Sequence, residues 1–274
     1  NGVGILADAT NFTDSILISQ NASTGTLSSA TNNVGIGDDV FAALTSGRNS
    51  VAIGSNSLDA NTSGKNNVAV GHDALSGNTT ADNNTAIGKS ALEANTTGTQ
   101  NVAVGSLALD ANTTADNNTA IGYQSLTATT TGADNVAVGM NSLKANTTAS
   151  YNVAIGKNSM EANTTGENNT AVGRESLASN TTASYNTAIG YNSLLVNTTG
   201  ATNTAVGALA LDANTTGSSN TAVGVQALSA ATTASNNVAI GKAAGENVTT
   251  GANNVIVGAS AMDAATTAAE NVAV

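Results

Sequence analysis

The chain has 274 residues and a net charge of −11, and 40% of its residues are hydrophobic but only 2% are aromatic. So few bulky side chains cannot fill a thick globular core at native packing density, so we expect a thin architecture. The absence of Cys excludes disulfides and thiolate metal sites. The seven Lys and Arg residues are scattered, which argues against nucleic acid as a partner. No apolar run is long enough for membrane insertion of this segment.

Residues 1–30 form an irregular N-terminal segment, which we interpret as a cap or entry to the repeats that follow. The sequence Ser15-Ile-Leu-Ile18 resembles a degenerate copy of the first strand of those repeats. Phe12 and Phe41, the two Phe residues of the chain, both lie near this end. Large side chains are expected where a terminal repeat must be sealed.

Residues 31–274 consist of tandem 17-residue repeats. The consensus reads Asn, Val or Thr, Ala, Val or Ile, Gly, two variable positions, Ala or Ser, Leu, one variable position, Ala, Asn, Thr, Thr, Gly or Ala, and two mostly polar positions. Fourteen copies follow one another without insertion or deletion, so each is expected to stack on the last in one geometry. We expect the pattern to continue beyond residue 274.

The repeat predicts an all-β fold, a parallel β-solenoid (β-roll) with one 17-residue rung per copy. The unit is too short for a helical hairpin, and its β-branched residues with Gly and Asn between them are typical of strands and turns. We predict a first strand of the type Asn-Val-Ala-Val, a second strand of the type Ala-Leu-x-Ala at 142–145, and a return turn at 146–149. A glycine forms the corner between the two strands, as at Gly71, Gly88, Gly105 and Gly122.

Two sets of large apolar residues recur at fixed positions and are predicted to form ladders in the core. One is the Leu of the second strand and the other is the Val or Ile of the first strand. The predicted core ladders are Leu75, Leu92, Leu109 and Leu126, and Val70, Ile87, Val104 and Ile121.

The alternate position of the first strand is Ala in nearly every copy, so both faces of this strand avoid charge. A sheet that is apolar on both sides is normally covered on both sides, and one thin solenoid covers only its own interior. A flat alanine stripe would allow close approach of identical chains, so we expect a homotrimer. The candidate trimer contacts are Ala69, Ala86, Ala103, Ala120, Ala137 and Ala154.

No residue is assigned a catalytic, metal-binding or cofactor-binding role, no cofactor is expected, and we expect the protein not to be an enzyme. His72 has no second His or Cys nearby, so it does not suggest a metal site. Recurrent carboxylates such as Glu93 and Asp110 could hold Ca²⁺ on stacked rungs, but the nonapeptide of calcium-binding rolls is missing, and a solvated acidic face is favoured.

The Asn-Thr-Thr triplets match the N-glycosylation sequon, but a turn with an asparagine ladder is the favoured interpretation. A Thr-rich solenoid also suggests ice binding, yet Thr79 and Thr80 are adjacent rather than alternate, so they would not share one flat face. Tyrosines are the best candidates for contacts with a partner, because Tyr is favoured in binding surfaces. They are Tyr123, Tyr151, Tyr185 and Tyr191.

Residues 31–274 resemble the head repeats of YadA-type trimeric autotransporter adhesins, whose unit reads roughly Asn-Ser-Val-Ala-Ile-Gly followed by a short Ala-containing strand. The longer 17-residue form, as in residues 203–217, is similar to repeats in the fibre proteins of marine bacteriophages. The unit is three residues longer than the adhesin form, and no stalk, coiled coil, anchor or phage adaptor segment is recognisable.

The resemblance implies an extracellular homotrimeric fibre on a virion surface, which spaces and presents a tip that binds a glycan or protein receptor on the host. The alternative is a bacterial cell-surface adhesin head that binds matrix or other cells. An ice-binding solenoid is a third, less favoured, interpretation.

Overall fold

The computed structural model describes residues 4–19 and 24–274. The described chain is all-β, with no helix, and is a parallel β-solenoid of about 15 turns at about 17-residue spacing. It divides into two compact units, residues 1–135 and residues 136–274.

The first unit begins with an antiparallel hairpin and continues as a parallel ladder. β1 pairs antiparallel with β2, and β2 pairs parallel with β4, so that Leu17 lies opposite Gly35. From β4 to β9 each strand pairs in parallel with the next, 17 residues on. The strands are β1 (Gly4–Ala9), β2 (Phe12–Ser19), β3 (Ala30–Thr31), β4 (Val34–Ile36), β5 (Val51–Ile53), β6 (Val68–Val70), β7 (Thr85–Ile87), β8 (Val102–Val104) and β9 (Thr119–Ile121).

The second unit is a parallel ladder of the same kind, in which each strand pairs with the next in register. Its strands are β10 (Val136–Val138), β11 (Val153–Ile155), β12 (Thr170–Val172), β13 (Thr187–Ile189), β14 (Thr204–Val206), β15 (Thr221–Val223), β16 (Val238–Ile240), β17 (Val255–Val257) and β18 (Val272–Ala273).

From β5 onwards each turn of the solenoid contains one strand, and the predicted second strand is wrong. The segment around each ladder Leu consists of turns, in which Ala74 N–H donates to Gly71 O at 3.3 Å and Asn78 N–H donates to Leu75 O at 3.2 Å. Asp73 and Leu75 have φ values of 57° and 54°, in the left-handed region. These positive φ values reverse the chain repeatedly and prevent an extended strand.

The turn segments nevertheless stack from rung to rung. Leu75 N–H donates to Ala91 O of the next turn at 2.9 Å, and Gly77 N–H donates to Glu93 O at 2.8 Å. The backbone groups are thus paired along the solenoid although the geometry is not that of a strand, which satisfies the requirement that buried backbone polar groups find partners.

The glycine after each strand has a conformation and a packing that exclude a side chain. Gly71 has φ of 140°, and a Cβ atom there would lie 2.4 Å from Gly88 O of the next turn. The other three glycines predicted as corners, Gly88, Gly105 and Gly122, have φ between 134° and 136°. The column of glycines therefore permits the close stacking of successive turns.

The structure reverses the predicted orientation of the strands. The predicted trimer contacts, the Ala residues, are fully buried inside the solenoid, whereas Val70, Ile87, Val104 and Ile121, predicted as core, point outward and are partly exposed. The ladder Leu residues are fully buried and face the Ala ladder from inside. The affected alanines are Ala69, Ala86, Ala103, Ala120, Ala137 and Ala154.

The narrow interior explains this reversal. Gly35 occupies the Ala position of β4, and a Cβ atom built on it would lie 2.8 Å from Leu17 Cδ1 and 3.1 Å from Phe41 Cδ2. Once a Leu or Phe fills the turn side of the interior, the strand side has room for a methyl group or less, because interiors are close-packed. The larger Val and Ile must therefore take the outer face of the strand.

The other half of the interior is polar and contains two ladders of buried asparagines. Asn84, which precedes β7, accepts from Asn101 N–H at 2.9 Å and donates to Gly98 O at 2.8 Å. Asn95, in the Asn-Thr-Thr triplet, donates to Gly98 O at 3.0 Å and to Asn78 Oδ1 of the previous turn at 3.2 Å. Both ladders thus converge on one carbonyl per turn, which links the return turn to the strand.

Candidate interaction surface

The outward side chains of the strands form an apolar surface in each unit, which we call the outer stripe. Each strand from β5 to β9 and from β10 to β17 contributes its first residue, Val or Thr, and its third residue, Val or Ile. Ile87 and Ile121 in the first unit and Ile155 and Ile189 in the second are each 40% exposed. Identical exposure at equivalent positions reflects the exact repetition of the turn.

The outer stripe is a sheet face whose Val and Ile side chains stay partly exposed within the described part of the chain. Strands that are apolar on both faces are typical of sheets packed on both sides, and contiguous exposed apolar surface marks interaction sites. The sequence correctly indicated such a face but assigned it to the wrong residues, because Ala and the branched aliphatic residues were exchanged between inside and outside.

Two variable segments border the outer stripe at every strand. The entry flank consists of the two residues before the buried polar residue that precedes the strand, which is Ser50 before β5 and Asn before the later strands; Asp82 and Asn83 form the entry flank of β7. The exit flank consists of the two residues after the corner glycine, such as Lys89 and Ser90 after β7. Lys89 is exposed, and Asp82 is half-buried and accepts a 2.7 Å hydrogen bond from Lys65 N–H through Oδ1.

The flanks hold the four tyrosines and the single His. Tyr151 and Tyr185 lie in the entry flank and are 59% and 64% exposed, and Tyr123 and Tyr191 lie in the exit flank. Arg174 lies 5.5 Å from the ring centroid of Tyr191 and pairs with Glu175 at 3.0 Å. The predicted contact residues therefore all border the outer stripe, where a partner that covers it would meet them.

Carboxylates of the turn segment form a separate feature, at the residue that follows several of the ladder Leu residues, such as Leu58, Leu109 and Leu211. Burial raises the pKa of Asp59, Asp110 and Asp212 above the ordinary value, although backbone hydrogen bonds partly oppose this. The Thr127 hydroxyl also donates to Asp110 Oδ1 from the next turn. These groups are spaced along the solenoid rather than gathered.

The described residues contain no group of three or more His, Asp or Glu side chains placed to hold a metal ion. His72 Nδ1 lies 2.5 Å from Asp73 Oδ2, on the exposed exit flank of β6. Among the described residues, these two side chains are not joined by a third group that could complete a metal site.

The asparagines of the Asn-Thr-Thr triplets are enclosed by the fold. Asn78, Asn95, Asn163 and Asn180 are fully buried, and their Nδ2 atoms donate within the ladder. A glycosyltransferase needs access to this nitrogen, so these sequons are closed to modification once the chain has folded. The hydrogen-bonded ladder agrees with the structural interpretation of the triplets.

Searches against protein-family models, curated proteins and solved structures find no significant match to this chain. Its function must therefore be inferred from its own geometry.

Within residues 4–19 and 24–274, no helix of sufficient length and apolarity to cross a membrane is found. The features that remain as candidates for function are the outer stripe and its flanks. The stripe offers flat apolar area, and the flanks offer charge and aromatic side chains around it, an arrangement of apolar centre and polar rim that is common in protein interfaces.

Proposed function

We propose that this chain is the shaft of a homotrimeric extracellular fibre, in which three parallel copies bury their outer stripes around a shared axis. The observation that carries the proposal is the continuous outward row of Val and Ile in each unit, with Ile87 and Ile155 at 40% exposure in the single chain. Burial of such residues is favourable by about 25 cal/mol per Å² of apolar area. A second copy of the same chain offers a matching surface at every turn.

The uniform turn supports a mechanical role for this assembly. Each turn repeats the same strand, glycine corner and asparagine ladders, so stiffness would be constant along the shaft. The net charge of −11 would keep the exterior soluble. Such a shaft would space and present a tip that binds a glycan or protein on a host surface.

The resemblance of the repeats to bacteriophage fibres and to YadA-type adhesin heads favours a virion fibre, with a bacterial surface adhesin as the alternative owner. Antibodies against the purified chain would label virion appendages in the first case and the bacterial surface in the second. Labelling confined to the cell interior would contradict both.

The stripe itself is tested by a pair of matched substitutions. Ile189→Lys places a charge in the outer stripe, whereas Val196→Lys places one at a residue of similar exposure, 36% against 40%, outside the stripe. Light scattering should show a trimer for the wild type and for Val196→Lys, and dissociated chains for Ile189→Lys. A trimer that tolerates Ile189→Lys as well as the control would contradict burial of the stripe.

A second candidate, ice binding, is favoured by one specific observation. Several strands present an outward Thr beside an outward Val or Ile, in a flat and regular array. The threonines are Thr85, Thr119, Thr170, Thr187, Thr204 and Thr221. A monomeric chain that shows thermal hysteresis would support this function, and a trimer without thermal hysteresis would contradict it.

A further inference from the structure

The charges in the flanks follow a pattern across the outer stripe. Among the described residues, three strands have charged side chains in both flanks. The two flanks carry opposite signs around β6 and β7, whereas around β12 the entry flank carries Glu167 and the exit flank carries both Arg174 and Glu175. Opposite charges therefore lie across each of these three strands. The pairs are Lys65 with Asp73 around β6, Asp82 with Lys89 around β7, and Glu167 with Arg174 around β12.

These opposite charges do not meet within one chain. The two ion pairs found in the described residues, His72 with Asp73 and Arg174 with Glu175, each join neighbours in the same flank. A strand and its corner glycine separate the two flanks on every turn. Asp82 and Lys89 are thus held at opposite edges of the outer stripe, where a molecule that covers it would meet them. Asp82 Oδ1 also accepts a hydrogen bond from Lys65 N–H of the same chain.

We infer that in the proposed trimer the entry flank of each copy contacts the exit flank of its neighbour at the same turn, so that Asp82 pairs with Lys89 of the partner subunit and Glu167 with Arg174 of the partner subunit. This inference rests on the proposed function. Parallel copies around a common axis necessarily bring one edge of a flat face against the opposite edge of the next copy. Antiparallel copies related by a twofold axis perpendicular to the strand ladder would place each flank against itself.

The flank charges therefore select parallel copies rather than supply most of the affinity. Exposed ion pairs contribute little to binding, while like charges forced together are strongly unfavourable. In an antiparallel pair, for example, the entry flank of one copy, which is rich in carboxylates, would face the entry flank of the other copy. The apolar stripe drives association in this scheme, and the flanks exclude the wrong orientation.

Charge reversal tests the inference. One variant, Asp82→Lys with Glu167→Lys, replaces the entry-flank carboxylates by amines at the two turns whose exit flanks hold Lys89 and Arg174. A second variant, Lys89→Glu with Arg174→Glu, makes the exit flank negative there. Each should raise the concentration at which the trimer dissociates about tenfold or more at low salt, and this effect should shrink at about 1 M salt, where charges are screened within ~3 Å. All four substitutions together should restore the trimer.

The matched control is Glu93→Lys with Glu161→Lys, which makes the same change of net charge in the turn segment, away from the flanks. This control variant should remain a trimer that dissociates at the same concentration as the wild type. A further readout separates pairing from a structural effect: the fourfold variant and the wild type, unfolded together and refolded, should form separate trimers, because mixed neighbours would bring like charges together.

The outcomes distinguish the inference from the proposed function. A trimeric wild type whose entry-flank variant remains equally stable would overturn the flank pairing and leave the trimer intact. Failure of the fourfold variant to recover, or free mixing with the wild type, would also overturn the pairing. A monomeric wild type would overturn the proposed function itself.

Discussion

The asparagine ladder of the Asn-Thr-Thr triplets makes a prediction that depends on where the ladder ends. Asn180 lies in its interior: it donates to Asn163 Oδ1 at 2.8 Å and to Ala183 O at 2.9 Å, and accepts from Asn197 Nδ2 at 3.1 Å. Asn214 lies at an end, because the next turn has Ala231 at this position. Its Oδ1 is buried without a hydrogen-bond partner.

Asn180→Ala and Asn214→Ala remove the same atoms from equivalent, fully buried sites. Asn214→Ala removes two hydrogen bonds, to Asn197 Oδ1 at 2.8 Å and to Gly217 O at 3.0 Å, and merely moves the unpaired acceptor from Asn214 to Asn197. Asn180→Ala removes three hydrogen bonds and creates a new unpaired acceptor at Asn163.

At about 1 kcal/mol for each hydrogen bond and about 1–3 kcal/mol for a buried unpaired acceptor, Asn214→Ala should cost about 2 kcal/mol and Asn180→Ala about 4–6 kcal/mol. The carbonyl partners are not the source of the difference, since Ala183 O and Gly217 O both keep a second donor, Asn169 Nδ2 and Asn203 Nδ2.

Urea denaturation of the full chain, with hydrogen exchange of the amides near each site, measures both losses of stability. The exchange data report opening of the turns around each substitution separately. Equal losses, or a larger loss for Asn214→Ala, would refute the reasoning that the ladder stabilises the fold through its continuity.

Three further predictions concern stability. Gly245→Leu alone should destabilise the fold, because a Cβ atom at this position would lie only 2.7 Å from Ile256 Cδ1. Ile256→Ala alone should leave a cavity that costs about 2–5 kcal/mol. The double variant should recover most of both losses in urea denaturation, and additive losses would contradict this packing. Gly173→Ala should lower the free energy of unfolding by about 3 kcal/mol or more, because φ is 136° and the new Cβ would lie 2.4 Å from Gly190 O. A decrease of less than about 1 kcal/mol would contradict the close stacking. Burial raises the pKa of Asp110, so the folded chain binds this proton more tightly than the unfolded chain, and stability should rise as pH falls from neutral towards the ordinary value of 3.8. Asp110→Asn should reduce this rise, to which Asp59 and Asp212 also contribute, and an unchanged pH profile would contradict the reasoning.

Much of the fold could be predicted from the sequence because the repeat is exact. The 17-residue spacing implied one turn per copy, and the ladder Leu residues such as Leu92 and Leu109 are fully buried as expected. The segment Ser15-Ile-Leu-Ile18 lies in β2, with Ile16 opposite Val34 and Leu17 opposite Gly35.

The orientation of the strands could not be predicted from apolar periodicity alone, because the strand is apolar on both faces. A signal did exist in the first residue of each strand, which lies on the same face as the third residue. This first residue is Val in some copies and Thr in others, as at Thr85 and Thr119. A recurrent Thr on that face is more consistent with an outer surface than with a narrow core.

The predicted second strand was wrong because Leu in the left-handed region is unusual and has no sequence signature of its own. The neighbouring positive-φ position does have one. It is often Asn or Asp, as at Asn56 and Asp73, residues that tolerate positive φ in turns. Here tertiary packing of the Leu and hydrogen bonds between turns outweigh the local cost at Leu75, where φ is 54°.

Sedimentation equilibrium of the wild-type chain tests the central claim most directly, since the outer stripe is proposed to be buried between copies. The account predicts a single species at three times the 26.5 kDa chain mass over a wide range of concentrations. A species of 26.5 kDa that remains soluble and folded at high concentration would show that the outer stripe is stable in water, and would contradict the trimeric fibre.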